Sequence, residues 1–243
     1  MKSIIIIPAR YGSSRFEGKP LFKILGTEMV IRVANICAKV VGKENLYVAT
    51  DNKKISKVVI SNGYKAIMTS TKCLTGTDRV AEAALKVKSD IYVNVQGDEP
   101  TINPKDIKKI IVAKIKYPNH IICGYDKVHK FENPESINLP KVVVNHQKEL
   151  IYISRALVPG KKKKEEKVNY LKQVCIYAFN KEQLKKFYSK KKKSETEKIE
   201  DIEILRFFDL NIKIKMIRLN SNSVAVDVLE DVKKAEKLLR NKN

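Results

Sequence analysis

A chain of 243 residues that is 43% hydrophobic can bury a substantial core, enough for one large domain or a domain with a lobe. Its four cysteines (Cys37, Cys73, Cys123, Cys175) lie far apart with no Cys-x-x-Cys pair, which argues against a zinc ribbon or a disulfide framework and fits a reducing cytoplasm. The formal charge of +22 raises the question of nucleic acid, but the excess is lysine gathered in runs at 161–164 and 190–193, without the interleaved aromatics of a stacking platform, and reads as solvated surface.

Met1-Lys2-Ser3 runs straight into four isoleucines, so no signal peptide is expected, and no apolar run approaches the length of a membrane span. Residues 4–7 read as a fully buried strand, and apolar positions from Glu28 to Val41 recur at helical spacing. Residues 46–50 form a second strand, and Ile55, Val58, Val59 and Ile60 a helix ended near Asn62-Gly63. A short strand over 66–69, a helix over 80–87 and a strand over 91–95 follow. Asn103-Pro104 then opens a helix, an Asn cap followed by Pro in the first turn. Beyond about residue 120, strands at 142–144, 151–153 and 174–179 have no helices between them; a helix over 199–208, strands at 212–217 and 224–226, and a helix over 230–239 close the chain.

The pattern predicts an α/β, Rossmann-like fold: a mostly parallel sheet with helices on both faces, plus a smaller antiparallel lobe. The expected organisation is one domain over 1–243, with 1–125 and 195–243 forming the core and 126–194 the lobe. Ligands in such sheets bind outside the carboxyl ends of the strands, so the loops after Ile7, Thr50, Thr69 and Val95 share the edge of interest.

The first of these loops carries Gly12, Gly18, Arg10, Arg15 and Lys19, a flexible backbone ringed by positive charge that suits a polyphosphate. It matches neither a P-loop nor Gly-x-Gly-x-x-Gly. In "NVQGDEP" (94–100), Asp98 stands where a strand leaves the sheet, a place for Mg2+ shared with phosphate oxygens or for a simple Gly-Asp turn. Asp227 in "VAVDVLED" (224–231) is either a partner carboxylate or the N-cap of the last helix. Arg79 in "TGTDR" (75–79) faces phosphate or base, or is a first-turn surface residue.

Together, "IIPARYGSSR-x-x-GKPL", "VATD", "TGTDR", "VNVQGDEP-x-I", "ISRA-x-x-P", "IYAF", "E-x-x-E-x-x-E-x-LR" and "VDVLEDV" resemble, in order and over essentially the whole chain, the 3-deoxy-manno-octulosonate (Kdo) cytidylyltransferases. The resemblance implies a nucleotidyltransferase-like fold and Mg2+-dependent transfer of CMP from CTP to the anomeric hydroxyl of a 2-keto sugar acid, for lipopolysaccharide or capsule. It implies that Pro8, Ala9, Arg10, Ser13, Arg15, Lys19, Arg79, Gln96 and Asp98 cradle the nucleotide, and that Arg155, Gln173, Tyr177 and Glu203 face the sugar acid. Lys19, Asp98 and Asp227 would be catalytic, with Asp98 and Asp227 holding the metal. It also implies a homodimer formed through the antiparallel lobe, with no nucleic-acid partner and no membrane insertion. Cys73, Lys172-Gln173, Lys198 and Ile204 stand where the family usually carries His, Arg-His, His or Gln, and Gln, and Glu17 adds a negative charge to the opening loop. These departures leave two further readings open: the same chemistry on an amino-Kdo or sialic-like acid, and a basic nucleic-acid binder without catalysis.

Overall fold

The computed structural model describes residues 1–12, 16–163, 165–221 and 223–241. Strand β1 (Ser3–Ala9) is followed by a short hairpin (23–28) and helix α1 (Met29–Val41). Then come β2 (Leu46–Thr50), α2 (Lys53–Ser61), β3 (Lys65–Met68), α3 (Gly76–Lys86), β4 (Ile91–Val95) and α4 (Pro104–Lys116). The second half holds β5 (Ile121–Lys127), β6 (Lys141–Val144), β7 (Leu150–Ser154), β8 (Leu171–Phe179), α5 (Lys181–Ser189), α6 (Glu195–Glu200), a 3-10 turn at 203–205, α7 (Arg206–Asp209), β9 (Ile214–Arg218) and α8 (Leu229–Arg240).

Seven strands form the main path of the sheet in the order β9-β5-β8-β4-β1-β2-β3, and β6 and β7 branch from β8. The pairs β1/β2, β1/β4, β2/β3 and β5/β9 are parallel, and β8 runs antiparallel to both neighbours. The four isoleucines of β1 are all buried because the strand is central and covered on both faces. Ile5 and Ile7 join the core under α1 and α4, while Ile4 and Ile6 join the one under α3 and α5, which includes Phe187 and Phe207. A third cluster, with Ile24, Met29, Val226, Val232 and Ala235, fastens the start of α8 to the hairpin after the opening loop. No helix among the described residues is long and apolar enough to cross a membrane.

The α/β class is as the sequence predicts, and most first-half elements fall within a few residues of their expected bounds. Asn103 caps α4 through its side chain, with Pro104 in the first turn. Helix α3 begins earlier than expected because Thr75 accepts from the Asp78 amide. The second half differs more. Strand β5 and helix α5 were not anticipated; α5 is lysine-rich with few apolar residues, and its start is fixed instead by an Asn180–Gln183 capping box. The expected helix over 199–208 is broken at Asp201, whose φ of 49° is left-handed. Residues 224–226 do not form a strand: Val226 N donates to Asp98 O at 2.9 Å, one contact without a ladder. Strand β8, read from sequence as part of the lobe, lies inside the central sheet, leaving the β6–β7 hairpin as the small antiparallel extension.

Candidate active site

A cleft of about 590 Å3, open to solvent, lies at the carboxyl ends of β1 and β4, where the fold predicts a ligand. Seven of the residues proposed from sequence line it: Pro8, Ala9, Arg10, Lys19, Arg79, Gln96 and Asp98. Ser13 and Arg15 lie outside the described residues. Gly97 lets the strand ends close up, since a Cβ there would stand 2.9 Å from Pro8 O. Sequence reasoning missed Cys73, Leu74, Thr75 and Gly76 as lining residues, although Thr75 belongs to a polar turn visible in the sequence. Cys73 donates to Glu82 at 3.3 Å; burial pushes its thiol up to about 12, so it lines the cleft as a neutral group.

The two aspartates meet at Lys19. Lys19 Nζ donates to Asp98 Oδ2 at 2.7 Å, to Val226 O at 3.0 Å and to Asp227 Oδ1 at 3.4 Å. Two aspartates 129 positions apart in the chain reach this point because Asp98 follows β4 while the Val226–Asp98 main-chain bond and the third apolar cluster hold the other segment. Asp227 does not cap α8: the N-cap position is Val228, and the amides of Asp227 and Val228 are accepted by Asp231. Of the two readings open for Asp227, the N-cap is taken by Val228, and the Asp227 carboxylate instead accepts from Lys19.

These residues fit a divalent cation. Two carboxylates already converge on one positive charge, and no group of three or more His, Cys, Asp or Glu able to hold a metal occurs among the described residues. That is the donor set of a Mg2+ that takes its remaining oxygens from phosphate and water.

Arg79 is only 3% exposed. It donates to Asp51 at 2.7 Å and to Thr69 at 2.6 Å, so the "VATD" turn fixes its guanidinium at the cleft wall. Gln96 donates to Glu203 at 3.0 Å, and Glu203 also accepts from the Thr77 amide at 2.8 Å. Burial raises the Glu203 carboxyl above its ordinary value. Glu203, assigned by sequence to the sugar, therefore also joins β4 to the first turn of α3. Beneath it lies a cluster the sequence did not reveal: Arg206, 1% exposed, donates to Asp78 at 2.7 and 3.1 Å and to Glu197 at 2.6 and 2.7 Å. Its only sequence trace is the spacing of Glu197, Glu200, Glu203 and Arg206.

On the sugar side Gln173 donates to the Tyr177 hydroxyl at 3.0 Å across the β8 bulge, and both are buried. Burial holds the Tyr177 phenol well above its ordinary value, so it stays a neutral donor and acceptor. Ile204 is fully buried in the core, and Lys198 is exposed. Arg155 makes its contacts elsewhere. Its Nε, Nη1 and Nη2 donate to the carbonyls of Glu200, Ile137 and Asp201, and its amide to the Glu200 carboxylate, so its fork terminates α6 and anchors the lobe.

A mostly parallel sheet with an open cleft at its strand ends, lined by Arg10 and Lys19 and flanked by convergent acids, is the arrangement of a nucleotidyltransferase. The chain belongs to the cytidylyltransferase family, whose model matches residues 4–214. It is 36% identical over 241 residues to the 3-deoxy-manno-octulosonate cytidylyltransferase of Escherichia coli, covering 98% of this chain and 96% of that one. It is 34% identical over 246 residues to the 8-amino-3,8-dideoxy-manno-octulosonate cytidylyltransferase of Shewanella oneidensis, covering 98% and 99%. A solved CMP:2-keto-3-deoxy-manno-octonic acid synthetase complexed with CTP superposes with a TM-score of 0.91 at 35% identity, covering all of both chains.

Proposed function

We propose that this protein transfers CMP from CTP to the anomeric hydroxyl of Kdo and releases pyrophosphate, with Mg2+ held by Asp98 and Asp227. The observation that carries the reading is the convergence of Lys19, Asp98 and Asp227 beside a cleft at the strand ends. In such a transfer negative charge spreads over the phosphoryl oxygens, so positioning and positive charge supply most of the rate. Bound Mg2+ would neutralise the α-phosphate and lower its resistance to the incoming hydroxyl. Arg10 and Lys19 bring cationic groups to the phosphates, and the close-set Pro8–Gly97 backbone shapes the wall against which the nucleotide lies. Gln96, steadied by Glu203, presents its remaining amide face to the cleft. Gln173 and Tyr177 are the hydroxyl readers for the sugar.

The assembly is a homodimer through the lobe. Ile137, Ile151 and Ile199, 67%, 54% and 76% exposed, are apolar side chains that a second copy would cover. The protein works in the cytoplasm and its product serves lipopolysaccharide or capsule synthesis. A second sugar, the 8-amino analogue, is favoured by one observation: the chain is 34% identical to a cytidylyltransferase named for that sugar.

The test is pyrophosphate release with CTP, Mg2+ and, side by side, Kdo, 8-amino-Kdo and a sialic acid. Release that needs both CTP and Kdo supports the reading. A tenfold higher kcat/KM for the amino sugar would transfer the assignment to it, and no turnover with any of the three would overturn it.

A further inference from the structure

We infer that Glu82 is a positioning residue for the nucleotide: its carboxylate holds the loop over 69–75 from behind, so that the loop's end serves as a wall for CTP. The inference rests on the reading of the cleft as the CTP site. The loop runs from β3 to α3, and Cys73, Leu74, Thr75 and the first helical residue, Gly76, line the cleft. Glu82 lies two turns into α3, does not line the cleft itself and has a side chain 13% exposed. Its two oxygens accept from the Ser70 amide at 3.0 and 3.2 Å. Oε2 also accepts from the Cys73 thiol at 3.3 Å and from the Tyr188 hydroxyl at 3.4 Å. Arg79 lies three residues earlier on the same helix, on a shared face. Its Nη1 donates to Ser70 O at 3.4 Å and to Thr69 Oγ1 at 2.6 Å. Ser70 is thus gripped at both its main-chain groups, by a carboxylate and a guanidinium from one helix. Bonds to such groups are stronger than neutral ones.

The wall has little room to shift. A Cβ at Gly76 would stand 3.0 Å from Gln96 Oε1 and 3.3 Å from Pro8 Cγ, so the loop's far end rests on the ends of β1 and β4. Its near end is fixed where Thr69 N donates to Thr50 O at 2.8 Å. Residues 70–75 between them form neither strand nor helix, and such a segment keeps its place through the groups that satisfy its amides. Without the Glu82 carboxylate, the Ser70 amide and the Cys73 thiol lose their acceptor while the sheet and α3 remain. CTP would then have to order its own wall on binding, and that cost appears as lost affinity. Gln173 and Tyr177 hold each other on the sugar side and are spared.

CTP binding by the full chain, measured by titration calorimetry with Mg2+ and no sugar acid, provides the test, together with steady-state rates. Glu82→Ala should raise the Kd for CTP about tenfold, equivalent to about 1.4 kcal/mol. Glu82→Gln, which keeps one acceptor for the Ser70 amide, should recover most of that loss. Ser70→Pro, which removes the amide that the carboxylate holds, should weaken CTP binding as Glu82→Ala does. In each variant kcat at saturating CTP and the KM for the sugar acid should stay within about twofold of wild type. Ile110→Val lowers stability from the core on the opposite face of the sheet and should leave the Kd for CTP unchanged. If Glu82→Ala or Ser70→Pro, with a normal circular dichroism spectrum, binds CTP as the wild type does, the positioning role is wrong and the CTP reading stands. The same holds if the loss appears equally in kcat and in the sugar KM. If the wild type itself does not bind CTP, the functional reading falls and this inference with it.

Discussion

The two sides of this cleft are built by different means. The nucleotide side is made of strand ends and tight loops: Pro8, Gly97 and Gly76 bring main chain close, and Lys19 and Arg10 add charge at the surface. The sugar side and the turn that joins it are made of buried side chains held by one another, with Gln173 on Tyr177, Glu203 on Gln96, and Arg206 between Asp78 and Glu197. A site made of backbone tolerates change around it as long as the strands keep their register. A site made of interlocked side chains changes whenever one partner does. Local turns thus suit a ligand common to a family, and a buried network suits the partner that varies.

Removing Arg206 should break that comparison most severely. Arg206→Met leaves Asp78 and Glu197 buried without their counter-charge, and stability should fall by about 3–5 kcal/mol, read by urea denaturation. The equivalent loss on the nucleotide side should be in rate, with the fold kept. Asp98→Asn and Asp227→Asn should each lower kcat more than about a hundredfold at saturating Mg2+ while the melting curve stays within a few degrees of wild type. Near-normal turnover in either would remove that residue from the metal site. Smaller effects sharpen the division. Arg10→Ala should raise the KM for CTP about tenfold and leave that for the sugar acid unchanged, because an exposed charge on the opening loop contributes mainly to phosphate binding. Gln173→His should shift kcat/KM between Kdo and its 8-amino analogue by several-fold, with kcat/KM for each sugar measured at saturating CTP; an unchanged ratio would show that Gln173 does not read the sugar.

Much of the nucleotide side was legible in the sequence because its signals are local. Buried β-branched runs, Asn103-Pro104 and the polar strand-end loops each report their own structure within a few residues. Asp227 was legible as a candidate, but setting aside the N-cap reading needed the fold, which puts Val228 at the cap and Asp227 against Lys19, far away in the chain. The sugar side was less legible because its contacts are long-range. Nothing near residues 171–179 says that they insert antiparallel between β4 and β5. Helical periodicity ran unbroken through 199–208, yet Asp201 turns left-handed, and Ile204 beyond it lies buried in the core. Arg155 looked like a carboxylate clamp by residue type, and only its three carbonyl partners show that its fork is engaged.

The central place of β1 bears on how the chain reaches its fold. Both strands that flank it, β2 and β4, lie later in the sequence, and the Ile5–Val93 pairing joins positions 88 residues apart. This water-averse segment is therefore made before both strands that cover its edges. Until residues 91–95 arrive, four consecutive isoleucines have an open strand edge, the kind of surface on which unfinished chains stick to one another. Pairings of such long range are slow to close. Refolding yield should accordingly fall as protein concentration rises, and the same isoleucines that make the finished sheet firm make its assembly the step at which the molecule is most exposed to aggregation.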